Sequence, residues 1–65
     1  MAKYRIQVYN QDMTSLVWED VKGFERTEQA LVWGYDIAST GHDIIIVMKQ
    51  SDVDNRCWKK IAKFY

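Results

Sequence analysis

The sequence predicts a small α+β domain: a β-hairpin, a helix and a third strand forming a three-stranded sheet, with a C-terminal helix (or, alternatively, a fourth strand). Three observations carry this. Residues 3–10 alternate apolar and polar side chains, the period of a half-buried strand. Residues 27–38 repeat apolar positions at helical spacing. Residues 44–48 form an unbroken apolar run of strand length. A chain of 65 residues has room for one such domain.

In the first element, Tyr4, Ile6 and Val8 face one way and Arg5, Gln7 and Tyr9 the other. Asn10, Gln11 and Asp12 supply turn chemistry, since polar side chains of this kind bond to nearby backbone. Residues 16–21 return as a second strand, so residues 3–22 read as a hairpin. Its inward face stays open: Leu16 and Trp18 compete with Val17 and Val21, and the losing pair is left outside. Gly23 ends the hairpin. Thr27 is the expected N-cap of the helix, and Glu28 puts negative charge where the helix dipole favours it. Ala30, Trp33 and Ile37 line the core-facing stripe, flanked by Leu31, Tyr35 and Ala38. Gly34 costs about 1 kcal/mol relative to Ala inside a helix, which close packing on the sheet would offset. Gly41 is the expected left-handed C-cap.

The third strand, residues 43–49, is apolar on both faces, the pattern of a strand covered on both sides. The element order places it at a sheet edge, and a flat apolar edge invites pairing with another chain. The C-terminal segment is the candidate cover. As a helix, it has Ser51 at the N-cap and Asp52 and Asp54 in the first turn. Lys59, Lys60 and Lys63 then lie toward its end. Its apolar set is Val53, Cys57, Ile61 and Phe64 or Tyr65, widened by Trp58 and Ala62. As a strand, residues 56–65 would pair with the third strand through a turn at residues 51–55. Lysines then mix with apolar residues on both faces. Capping and periodicity favour the helix; the bare edge favours the strand.

Nine basic and nine acidic side chains cancel, but unevenly: +2 over residues 1–10, −5 over residues 11–43 and +3 over residues 44–65. Such bipolarity can orient a protein on its partner. The balance is too weakly basic for default nucleic-acid binding and too weakly acidic for a DNA mimic. Cys57, the lone cysteine, forms no intrachain disulfide, which suits a reducing compartment. With His42, the lone histidine, it falls short of the four ligands of a structural zinc site unless two chains share it. No cofactor is expected. Residues 44–48 are too few to span a bilayer and no stretch has signal-peptide character, so the chain reads as soluble and cytoplasmic, without a membrane partner.

Catalysis needs a preorganised nucleophile, base or metal. His42 and Asp43 are adjacent in a strand and point apart, as do Glu19 and Asp20. Cys57 reads as core on its apolar stripe, and Gly23, Gly34 and Gly41 are too scattered to cradle a phosphate. The expectation is a binding protein, not an enzyme. Nine aromatic residues exceed what one small core can hold. Tyr9 points away from the core, and Trp18 joins it if Val17 and Val21 turn inward. Tyr9, Trp18 and Asp20 are therefore the candidate protein-binding residues, Trp and Tyr being enriched in binding hot spots. The alternative is a nucleic-acid surface of Arg56, Trp58, Lys59, Lys60 and Lys63, residue types suited to phosphate neutralisation and base stacking.

The run from Trp18-Glu19-Asp20-Val21 through Thr27-Glu28-Gln29-Ala30-Leu31 to Ile44-Ile45-Ile46-Val47 resembles, in its order of elements, the small accessory proteins of bacteriophages. The likeness spans about two-thirds of the chain and is architectural; no residue role carries over. It implies a protein that binds and sterically blocks a host polymerase, nuclease or defence complex in the host cytoplasm. A homodimer joined through the third strand or an aromatic face is a further expectation.

Overall fold

The computed structural model describes residues 2–41, 44–54 and 56–64; Met1, His42, Asp43, Asn55 and Tyr65 lie outside the described residues, and with them the His42–Asp43 pair. The elements are β1 (Ala2–Tyr9), β2 (Leu16–Phe24), α1 (Thr27–Ala38), β3 (Ile44–Gln50) and β4 (Trp58–Phe64). All four strands pair antiparallel in the order β2-β1-β3-β4. The α+β class is as expected; of the two C-terminal readings the structure has the fourth strand and not the helix, and its pairing makes β3 an inner strand and not an edge.

A β-bulge explains why β4 looked unlike a strand. Met48 lies opposite Lys60 and Val47 opposite Ala62, so Ile61 is an extra residue that shifts the alternation by one. On one side of the bulge Trp58 and Lys60 share a face; beyond it Ala62 and Phe64 turn to the helix while Lys63 turns away. The capping signal at Ser51 is real but is spent on a turn. Its Oγ accepts from the N–H groups of Val53 and Asp54, as an N-cap would, yet Ser51 N–H bonds back to the Cys57 carbonyl and closes the β3–β4 connection. Cys57 is exposed there, where the sequence suggested core. Asp54 accepts from the Arg56 backbone N–H and guanidinium and more weakly from the Cys57 thiol, which holds its carboxyl below its ordinary pKa.

The hairpin turn follows its residue types. Asn10 Oδ1 accepts from the N–H groups of Thr14 and Ser15, and Met13 takes a left-handed conformation at φ 61°. Gly23 sits inside β2 opposite Lys3 and does not end it. The helix starts one residue earlier than a Thr27 cap would place it. Arg26 stands at the N-cap without a side-chain bond, while Gln29 Oε1 accepts from the Glu25 and Arg26 N–H groups. Thr27 serves the core instead: its hydroxyl pairs with the phenol of buried Tyr4 at 2.9 Å. At the other end the cap is Ser39 in ordinary right-handed conformation, and no described glycine has positive φ, so Gly41 makes no left-handed cap. Ser39 Oγ and Thr40 Oγ1 bond to the Asp36 and Ile37 carbonyls there.

The core lies between α1 and the centre of the sheet: Tyr4, Ile6, Val8, Ala30, Ile45 and Val47, bordered by Phe24, Trp33, Ile37, Ile61 and Phe64. Gly34 makes the close approach possible. A Cβ there would sit 2.5 Å from Val47 Cγ2 and 3.1 Å from Phe64 Cε2. Tyr35, expected beside the core stripe, remains 63% exposed and meets Phe64 edge-on.

Candidate functional site

One helix covers one face of the sheet. Partners directly opposite in antiparallel strands share a face, so the pairing determines what lies on the other, open face. From β1 come Lys3, Arg5, Gln7 and Tyr9; from β2, Leu16, Glu19 and Val21; from β3, Ile44, Ile46, Met48 and Gln50; from β4, Trp58, Lys60 and Lys63. The β3 row is apolar from Ile44 to Met48 and polar only at its end, where Gln50 lies opposite Trp58. In an antiparallel sheet with a solvated face that row is ordinarily polar.

A polar ribbon runs alongside this row. Tyr9 OH donates to Gln7 Oε1, Gln7 Nε2 donates to Glu19 Oε1, and Arg5 Nε lies 3.2 Å from the same carboxylate oxygen as an ion pair. The Arg5 guanidinium then crosses β3 to stack 4.3 Å from the centre of the Trp58 ring. Lys3, Arg5, Lys60 and Lys63 outnumber Glu19 here, which makes the open face basic around an apolar centre. Apart from Glu19, the described acids of the sequence's middle lie elsewhere: Asp12 in the first hairpin turn, Asp20 on the other face of β2, Glu25 before the helix, and Glu28 and Asp36 on α1. The alternating charge blocks therefore become a spatial polarity.

The expected site residues divide between the two faces. Tyr9 is on the open face, half-buried against the ribbon. Trp18 pairs with Val8 and Asp20 with Ile6, which puts both on the helix-bearing face, so Trp18 does not join Tyr9. The register slips between Val8 and Tyr9, leaving Val17 as the extra residue and Leu16 opposite Tyr9. The helix does not reach over Trp18, which is 45% exposed, and β2 has no buried residue. Of the alternative set, Trp58, Lys60 and Lys63 meet on the open face. Lys59 pairs with Lys49 on the opposite face and Arg56 lies in the loop. Lys49, Lys59, Ile61 and the Ser51 turn border a shallow cleft there. Ile44, Ile46 and Met48 are the half-buried open-face residues missed; their signal was present, since β3 was already apolar on both faces.

Among the described residues, no three His, Cys, Asp or Glu side chains converge, and no helix is long and apolar enough to cross a membrane. Comparison with protein-family models, curated proteins and solved structures found no match. The functional reading rests on the chain's own side chains.

Proposed function

We propose that the protein is a non-enzymatic binding module that engages a partner protein through its open sheet face. The observation that carries this is the β3 row of Ile44, Ile46 and Met48, half-buried among its sheet neighbours, apolar where solvent should favour polar residues, and on the face that α1 does not cover. Tyr9 and Trp58 flank the row, and Lys3, Arg5, Lys60 and Lys63 rim it. The complementary partner has an apolar centre inside an acidic rim, an arrangement that orients the encounter electrostatically and places binding energy at the centre. Occluding that surface would block the partner's own function, the mode of action implied by the likeness to phage accessory proteins.

Ile46→Thr combined with Met48→Gln keeps strand propensity and removes the apolar centre. Wild-type protein should capture a specific partner from a bacterial lysate, and the folded double variant should lose it by about tenfold or more in affinity. Equal capture by both proteins would refute the open-face assignment.

A second reading follows from Arg5, Trp58, Lys60 and Lys63 gathering on the same face: stacking and phosphate contacts with single-stranded nucleic acid. The aliphatic centre favours protein, because base stacking uses aromatic planes. Lys60→Glu with Lys63→Glu separates the two. Under the nucleic-acid reading it removes oligonucleotide binding, and the wild-type affinity falls steeply with salt.

A further inference from the structure

We propose that the free edge of β2 joins a second copy of this chain, pairing antiparallel about a two-fold axis at Val21. The pairing uses the backbone edge of β2 and not the β3 row on which the proposed function rests, so either proposal can fail alone. β2 is a nine-residue edge strand with Leu16, Val17, Trp18 and Val21 all more than 40% exposed. An edge so long and apolar is a ready template for another strand.

Its backbone phase can be read from one contact. Val21 N–H donates to the Asp20 carboxylate at 2.8 Å, so it is not spent on β1. The Arg5–Val21 pair is then a non-hydrogen-bonded pair of the β1–β2 ladder. By alternation Glu19, Val21 and Gly23 present their N–H and C=O groups to the free edge. In the monomer the Asp20 side chain caps the central one.

Side-chain order then selects a register. Centred on Val21, the pairing sets Val21 against Val21 of the second copy, Asp20 against Lys22, Trp18 against Phe24 and Glu19 against Gly23, each non-identical pair occurring twice. Centring on Glu19, Asp20 or Lys22 instead opposes that residue with its own like charge. Only the Val21 register pairs acid with base. On forming it, Val21 N–H exchanges the Asp20 carboxylate for the Val21 carbonyl of the second copy, and Asp20 turns to Lys22 of that copy. The two sheets become continuous, with both open faces on the same side.

The opposite edge offers no such match: β4 presents Lys59, Lys60 and Lys63 along seven residues with no acid to oppose them, and self-pairing centred on Lys59, Lys60, Ile61 or Lys63 sets lysine against lysine.

Sedimentation equilibrium on the whole chain should show a concentration-dependent mass rising from 7.7 kDa toward twice that value. Asp20→Lys and Lys22→Asp each oppose like charges in the register and should each weaken self-association by about tenfold or more. Mixed one to one, these two variants should form a heterodimer, since both lysines of one chain then face both aspartates of the other. The double variant D20K/K22D should self-associate like wild type. Val21→Pro, at a position whose N–H β1 does not use, should abolish association while circular dichroism reports a folded sheet. A wild-type protein that stays monomeric at millimolar concentration overturns the proposal. So does a dimer unchanged by either single charge reversal, or a mixture of the two that does not associate.

Discussion

Ile45 and Ile46 are neighbours in one strand and chemically identical, yet they lie in different environments. Ile45, with Val47, points into the helix and is 1% exposed; Ile46, with Ile44 and Met48, points to a face that no described element covers. On the covered side the apolar side chain is held in a close-packed core, and its removal leaves a cavity. On the open side it is flanked only by its neighbours in the sheet. Apolar content alone therefore does not locate a core; the number of layers does. Here there are two layers, and a strand patterned for three.

The sharpest way to break the comparison is to truncate both isoleucines. Ile45→Ala should cost about 2–5 kcal/mol, a transfer loss plus a cavity. A domain this small has total stability on the order of 5 kcal/mol. It should therefore be largely unfolded in urea concentrations that the wild type tolerates. Ile46→Ala should cost about 1 kcal/mol, the loss of partial burial without a cavity. Equal losses in urea denaturation would show that the open face is packed as tightly as the core and would remove the basis for reading it as a binding surface.

Gly34→Ala probes the covered side more finely. Alanine improves helix propensity by about 1 kcal/mol. Its Cβ would meet Val47 Cγ2 at 2.5 Å, and Val47 is fully buried and stiff at χ1. Overpacking of this kind costs about 1–3 kcal/mol, so the substitution should be destabilising by roughly 1 kcal/mol net. Combined with Val47→Ala it should recover part of that loss, so the two effects should be non-additive in a double-mutant cycle. Additive effects would place the helix farther from β3 than the structure does.

Much of this architecture was legible in the sequence, and the two misread strands share a cause. β1 alternates without interruption, α1 carries a clear helical period, and β3 is an unbroken apolar run, so each was recognisable from its own residues. The misread segments contain bulges. The extra Ile61 breaks the alternation of β4, and the extra Val17 obscures which way Trp18 points. A bulge is specified by the partner strand, which a local pattern does not contain. Ser51 misled for a related reason: the same hydroxyl-to-backbone bonds open a helix or close a turn, and the choice is made downstream, where β4 pairs with β3. Of the expected binding residues Tyr9 lies on the open face, whereas Trp18 and Asp20 belong to the β2 edge. The apolar row of β3 was visible but required a cover that the described elements do not supply.

The smallest effect concerns the other edge. Lys49 and Lys59 are directly opposite in β3 and β4, a like-charge pair that costs stability. Lys59→Glu replaces repulsion with attraction and should stabilise the fold by about 0.2–1 kcal/mol. Salt should act on the two proteins in opposite senses: screening relieves the wild-type pair and weakens the new one, so added NaCl should narrow the difference in thermal midpoint. If the variant is no more stable at low salt, the two side chains splay apart and their charges do not meet. If it is more stable but begins to associate through β4, the wild-type lysine was guarding that edge at a cost in stability. Lys60 and Lys63 still line the strand in the variant, so the expected product is a more stable fold with the β4 edge still defended.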